Sequence, residues 1–103
     1  MSVEIVRNYF RENEIQKEIL EFPVSSATVE LAAQAVGVEP ARIAKTLSFY
    51  TKEKDAAILI VTAGDMKIDN SKFKHYFGMK AKMLASEDVE RLTGHAIGGV
   101  CPF

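Results

Sequence analysis

Hydrophobic and polar positions alternate along the chain with two periods, one typical of helices and one typical of strands. Val3, Val6 and Phe10 recur at helical spacing with charged residues between them, which predicts an amphipathic helix over residues 2–13. Residues 15–22 are predicted to form a short strand, which ends before a proline and two serines. The chain therefore begins with a predicted helix followed by a predicted strand.

The next segment carries the signals of two short helices. Val29–Val36 is predicted to be helical, with either Ser26 or Thr28 as its N-cap and Gly37 at its C-terminal end. Pro40 suits the first turn of a third helix that runs to about Lys45.

Two strands and two further helices complete the pattern. Residues 46–50 and 56–62 are predicted to form a hairpin, and the apolar run 57–61 predicts that its second strand is central in the sheet. A helix over residues 69–77 and a half-exposed strand over residues 80–84 follow. The last helix begins at Ser86, where first-turn acids suit the helix dipole, and ends at Gly94. The fold class is α+β with a mixed, mostly antiparallel sheet.

Composition limits the kind of protein. The 103 residues are 48% hydrophobic and 26% charged, which is typical of one globular domain. The formal net charge is −1, so any RNA contact depends on local charge rather than on the overall field. One cysteine excludes an intrachain disulfide and a Cys-rich zinc site. With no signal-like or membrane-spanning run, we expect a cytoplasmic protein that does not bind a membrane.

Conventional catalytic motifs are absent from the sequence. It has no Gly-rich phosphate loop after a strand, no HExxH and no EF-hand spacing, so we expect neither metal nor cofactor. His75 is expected at a helix surface and His95 in an ordinary loop. Cys101 could act as a nucleophile only beside a base, which the sequence does not identify. A catalytic triad or dyad is therefore not expected.

Two features remain as candidates for function. Lys45 lies between apolar neighbours at a predicted helix–strand junction, from which its ammonium can reach a cleft. The alternative is that Lys45 is a solvated lysine whose charge only complements the helix dipole. The second feature is the glycine-rich segment 98–102, whose backbone amides could bind an oxyanion or a carbonyl. Its alternative is an ordinary turn.

A helix-turn-helix is a competing interpretation of residues 29–47. It places Gly37 at the turn and makes Glu39, Arg42 and Lys45 candidates for DNA contact. Against it, the second helix carries little positive charge and runs directly into a predicted strand. We therefore do not expect DNA binding.

Four ordered motifs resemble a known family. They are Ala32-Ala33-Gln34-Ala35-Val36-Gly37-Val38, Ile43-Ala44-Lys45-Thr46-Leu47, Ala63-Gly64-Asp65 with Ile68-Asp69, and Thr93-Gly94-His95 with Ile97-Gly98-Gly99-Val100 and Pro102. They occur in the same order in the editing domains associated with prolyl-tRNA synthetase, the YbaK-like proteins. The resemblance covers nearly the whole chain and implies an α+β fold with a mixed sheet or partial barrel flanked by helices.

The resemblance also implies an activity. YbaK-like domains hydrolyse the ester between a wrong amino acid and the 3′ end of a tRNA, usually a proline tRNA, without a side-chain nucleophile. The implied partners are aminoacyl-tRNA and prolyl-tRNA synthetase. The catalytic residues that it implies are Lys45, Gly98, Gly99 and Pro102. The implied substrate-binding residues are Phe22, Thr46, Val100 and Cys101.

The chain differs from the family at its C-terminal end. Family members continue past the glycine loop with further strands, whereas this sequence ends at Phe103. We therefore expect a single domain that is incomplete at this end, with an open sheet edge that favours a homo-oligomer. The alternative function is a non-catalytic module that binds the tRNA end or the synthetase.

Overall fold

The computed structural model describes residues 2–22 and 28–103, and it confirms the α+β class. We number the helices and strands in chain order. They are α1 (Ser2–Glu12), α2 (Val29–Val36), a 3₁₀ turn (Pro40–Arg42), β1 (Ala44–Tyr50), β2 (Ala57–Ala63), α3 (Asn70–Phe77) and α4 (Ser86–Thr93).

The sheet is a β1–β2 hairpin with a third segment beside it. β1 and β2 are antiparallel, with Ala44 opposite Ala63 and Tyr50 opposite Ala57. On the other side of β1, the amide of Tyr50 donates to the carbonyl of Lys82 at 2.9 Å. β1 therefore has a neighbour on both sides, and the prediction that the second hairpin strand is central is wrong within the described residues. The prediction failed because an apolar run is typical of a strand that is covered on both faces. In β2, however, Val61 is 51% exposed.

Two predicted strands are reduced or absent. Residues 80–84 form only a single bridge, between Met83 and Phe49, because few of their backbone groups meet β1. Residues 15–22 form no strand at all. Ile15 and Ile19 are half-buried there, four positions apart, and no strand of the described residues lies beside them. Without a partner edge, an apolar segment cannot complete a ladder.

Helices cover both faces of β1. Phe49 and Tyr50 are consecutive and therefore point to opposite faces. The Phe49 ring contacts Phe73 of α3, with 4.9 Å between centroids. On the opposite face, the Tyr50 hydroxyl donates to Asp88 of α4. The buried apolar side chains form the small core between these layers; they are Ala33, Phe49, Tyr50, Phe73 and Val89.

The predicted ends of α2 are confirmed, whereas those of the third predicted helix are wrong. Thr28 caps α2 by accepting a hydrogen bond from the amide of Leu31 at 3.2 Å, whereas Ser26 lies outside the described residues. Gly37 ends α2 with φ of 81°, a left-handed conformation that favours glycine. The predicted third helix is only a three-residue 3₁₀ turn, so Lys45 lies in β1.

Candidate functional site

A cavity of about 620 Å³ lies where α2, the start of β1, α4 and the C-terminal segment meet. We call it the β1 cavity. Six of the eight predicted site residues line it, and they come from two distant parts of the sequence: Lys45, Thr46, Gly98, Val100, Cys101 and Pro102. A separate cavity of about 670 Å³ beside α2 contains none of them. The fold therefore brings the two candidate features of the sequence into one site.

A backbone carbonyl holds the ammonium group of Lys45. Its Nζ donates to the carbonyl of Gly64 at 3.2 Å, across the hairpin. This acceptor lies in a crowded turn, because a Cβ at Gly64 would be 2.3 Å from the carbonyl oxygen of Pro40. An ammonium has three donors, so two remain for a ligand. The interpretation of Lys45 as a helix-end lysine is wrong, since the residue belongs to a strand.

Ser48 is a site residue that the sequence analysis did not identify. Thr46 and Ser48 are two positions apart in β1 and therefore share a strand face. Both line the β1 cavity, and Ser48 is only 7% exposed. Side chains on one face of a strand are two positions apart, so the predicted place of Thr46 in the pocket could also have indicated Ser48. It adds a hydroxyl to a wall that is otherwise largely apolar.

The glycine-rich segment forms a turn and then follows the cavity wall. Gly98 has φ of 84°, and the amide of Gly99 donates to the carbonyl of Ala96 at 2.9 Å. Gly99 does not line the cavity, because its amide closes this turn. Residues 100–102 do line it, so the candidate oxyanion donors are the amides of Gly98, Val100 and Cys101 rather than that of Gly99.

The structure places a histidine beside the cysteine. His95 is only 2% exposed, and its Nε2 lies 3.6 Å from Sγ of Cys101. His95 lies in the loop after α4, as expected, and this loop brings its imidazole next to Cys101. Nδ1 of His95 is buried without a hydrogen-bond partner among the described residues. His75 is exposed on α3, as predicted.

Phe22, like Gly99, is a predicted site residue that does not line the cavity. Its side chain is 36% exposed and does not line the β1 cavity. It belongs to the irregular segment after α1, and it was the least secure of the positions implied by the resemblance. A role for Phe22 in the pocket wall stays a prediction.

The described residues show neither a metal site nor a membrane-spanning helix. Within ranges 2–22 and 28–103, no three histidine, cysteine or carboxylate side chains lie close enough to hold a metal ion. No helix in those ranges has the length and apolar character needed to cross a membrane. The helix-turn-helix interpretation also fails, because the helix that would enter the groove is only the Pro40–Arg42 turn.

Comparison with known proteins identifies the class of domain to which this fold belongs. Residues 24–103 match the model of the aminoacyl-tRNA editing domain. The chain therefore belongs to the aminoacyl-tRNA editing domain family.

Relatives and solved structures agree with this assignment. The uncharacterized protein YwhH of Bacillus subtilis is 53% identical over 103 residues, which cover all of this chain and 65% of that protein. The proline–tRNA ligase of Thermosipho melanesiensis is 33% identical over 94 residues, or 90% of this chain and 16% of the ligase. A crystal structure described as "a putative trans-editing enzyme for prolyl tRNA synthetase" matches with a TM-score of 0.86 and 33% identity, over 99% of this chain and 64% of that one. The chain thus spans just under two thirds of YwhH.

Proposed function

We propose that this protein hydrolyses the ester of a mischarged aminoacyl-tRNA in trans, and that its substrate is a proline tRNA carrying a small wrong amino acid. The observation that carries the proposal is the β1 cavity, which joins Lys45 of β1 to the 98–102 segment. Membership of the editing-domain family supports hydrolysis. Similarity to a proline–tRNA ligase and to a trans-editing candidate supports the choice of tRNA. The cytoplasm, where tRNAs are charged, is the proposed location.

The chemistry requires no side-chain nucleophile. A water molecule adds to the ester carbonyl, the bond to the ribose oxygen breaks, and a proton passes to that oxygen to give free amino acid and tRNA. Amides of residues 98, 100 and 101 would stabilise the oxyanion that forms, and one such donor is worth about 3 kcal/mol. Holding the ester against the 98–102 segment supplies the positioning that this labile bond needs.

Lys45 would act electrostatically in this scheme. Its ammonium keeps two donors beyond the one given to Gly64, and they can bind a phosphate or the terminal ribose of the tRNA. The contact with Gly64 limits the positions that the long side chain can adopt. We therefore assign Lys45 to the binding and orientation of the tRNA 3′ end.

A second pocket overcomes a physical limit on how well the synthetase can discriminate between amino acids. One methylene contributes only about 1–3 kcal/mol to discrimination, so an active site built for one amino acid cannot strongly reject a smaller one. A separately shaped cavity can select the wrong amino acid instead. The largely apolar wall of the β1 cavity, with the hydroxyls of Thr46 and Ser48, suits a small side chain.

The test uses proline tRNA charged separately with alanine, cysteine, serine and proline, and measures release of free amino acid. We expect hydrolysis of one mischarged species and not of prolyl-tRNA. Lys45→Ala should lower the rate by at least about tenfold, because its contact orients the substrate. Lys74→Ala is the matched control, because Lys74 lies on α3, across the sheet from α4. This variant should hydrolyse the substrate at the wild-type rate.

Two results would contradict the proposal. If a folded chain releases none of the four amino acids, it is not a deacylase for this tRNA. Retained binding of uncharged tRNA would then favour the non-catalytic module. Equal rates for Lys45→Ala and Lys74→Ala would remove Lys45 from the proposed site.

A further inference from the structure

We propose that helix α1 positions the 98–102 segment through a three-ring contact, which we call the aromatic clamp: Tyr9 and Phe10 of α1 with Phe103. This inference rests on the proposed function, because it assigns positioning residues to that site. Residues 2–22 lie outside the part of the chain that matches the editing-domain model, which begins at residue 24. The family match therefore does not cover α1, although YwhH aligns with the whole chain.

The contact geometry is that of a specific aromatic cluster. The ring centroid of Phe103 lies 5.4 Å from that of Tyr9 and 5.0 Å from that of Phe10. The Phe10 and Phe103 rings meet edge to face, at 85°. These are the separations and angles at which aromatic pairs attract beyond simple burial. Phe103 also lines the β1 cavity, so the ring held by α1 belongs to the wall of the proposed site.

The clamp lies close in sequence to the proposed oxyanion donors. Phe103 directly follows Pro102, whose ring restricts the backbone between the clamp and Cys101. At its other end, the segment begins with Gly98 in a left-handed conformation. A segment restrained at both ends holds its amides in one arrangement. If the clamp is lost, these amides can move relative to the ester, and a displacement of about 1 Å can cost a large part of the rate.

Two contacts join α1 to the segment that follows it, and neither of them uses the ring of Tyr9 or of Phe10. Arg7 forms an ion pair with Glu21, beyond the end of the helix. The amide of Ile15 donates to the carbonyl of Phe10 at 2.8 Å, closing the C-terminal end of α1. These contacts restrain α1 against the segment that follows it, so Tyr9 and Phe10 stand on a helix with restraints of its own.

The experiment compares Tyr9→Ala and Phe10→Ala with Tyr76→Ala. Tyr76 is a matched control, because it is an exposed tyrosine in a ring contact with Phe77, on α3. Amide hydrogen exchange of residues 96–103 is measured by mass spectrometry, alongside kcat and KM for the mischarged tRNA. We expect faster exchange in this segment and a fall in kcat of about tenfold, with KM nearly unchanged, in both clamp variants. Tyr76→Ala should change neither.

Tyr9→Phe provides the rescue, because it keeps the ring and should restore both wild-type exchange and wild-type kcat. Unchanged exchange of residues 96–103 in both clamp variants would overturn the proposal. A uniform rise over the whole chain, with this segment no faster than β1, would also overturn it, since it would show only lost stability. If the wild-type chain hydrolyses no substrate, the proposed function fails, but exchange still decides whether the clamp exists.

Discussion

At the scale of single residues, Gly64 shows how one position without a side chain organises a site. A Cβ there would lie 2.3 Å from the carbonyl oxygen of Pro40 and 2.6 Å from Cγ1 of Val29. Both distances are shorter than the contacts that real Cβ atoms make, and the first involves a backbone atom, which cannot rotate away. The close approach lets the carbonyl of Gly64 accept the hydrogen bond from Lys45.

Gly64→Ala should therefore destabilise the fold and disturb the site together. Overpacking of this kind typically costs about 1–3 kcal/mol, which urea unfolding would measure. Gly37→Ala is the control, because a Cβ there meets nothing within 4 Å and only the left-handed backbone is strained. The control should lose stability but keep its deacylation rate, whereas Gly64→Ala should lose both. An unchanged unfolding midpoint for Gly64→Ala would contradict the packing argument.

The sequence analysis singled out a motif at residues 63–65 and a candidate lysine at position 45, but it did not predict that Gly64 accepts a hydrogen bond from Lys45. The two residues are 19 positions apart, and only the hairpin register brings them together. His95 and Cys101 are a second pair that the fold brings together, over a shorter separation in sequence. The sequence named both and left the cysteine without a base, whereas the turn at Gly98 folds Cys101 back to 3.6 Å from the imidazole.

At the scale of elements, a hydrogen-bonded link joins β1 to α4. Asp88 accepts from the Tyr50 hydroxyl and pairs with Arg91 at 2.7 Å. The bond from Tyr50, and then that from Arg91, hold the pKa of the Asp88 carboxyl below its ordinary value. The same bond to Asp88 raises the pKa of Tyr50 above its ordinary value. The amide of Ala85 also donates to the Tyr50 oxygen, at 3.0 Å, so the link includes the start of α4.

The link predicts acid sensitivity. The folded pKa of Asp88 is below its unfolded value of about 4, so its contribution is complete above that pH and is lost as pH falls through the folded value. Asp88→Asn should flatten the dependence of unfolding free energy on pH below about 4. Glu90→Gln, on the same helix, is the control and should keep the wild-type slope. Identical acid slopes in wild type and Asp88→Asn would refute the link.

Elements with local signals were predicted well, and those that depend on a partner were not. α2, α3 and α4 were found because caps, left-handed glycines and helical periodicity are properties of a few neighbouring residues. The strand predicted over residues 15–22 does not form, and that over residues 80–84 is one bridge. A strand exists only where another segment completes its hydrogen bonds, and no local pattern says whether that segment will be present.

At the scale of the whole molecule, the outer edge of β2 is unpaired in the part of the chain that is described. Its side chains include Leu59, which is 37% exposed. An open edge with apolar neighbours favours pairing with another chain. A homo-oligomer was also expected in the sequence analysis.

We therefore predict that the 103-residue chain associates as its concentration rises, which sedimentation velocity would measure. Leu59→Lys should weaken association, because a charge on an edge strand opposes pairing. Leu20→Lys, at a 59% exposed leucine that is not part of β2, is the matched control and should associate like wild type. A monomer at all concentrations would show that the edge is not an interface between copies of this chain.

The sequence by itself determined the α+β class, the C-terminal glycines of α2, α3 and α4 and, through four ordered motifs, the family and the two parts of the candidate site. These are local signals, written in residues that are neighbours along the chain. Only the tertiary structure decided that β1 has a neighbour on both sides, that Ser48 and His95 belong to the site region, and that Phe103 meets α1. Such contacts join residues far apart in sequence, and they depend on how every intervening element packs.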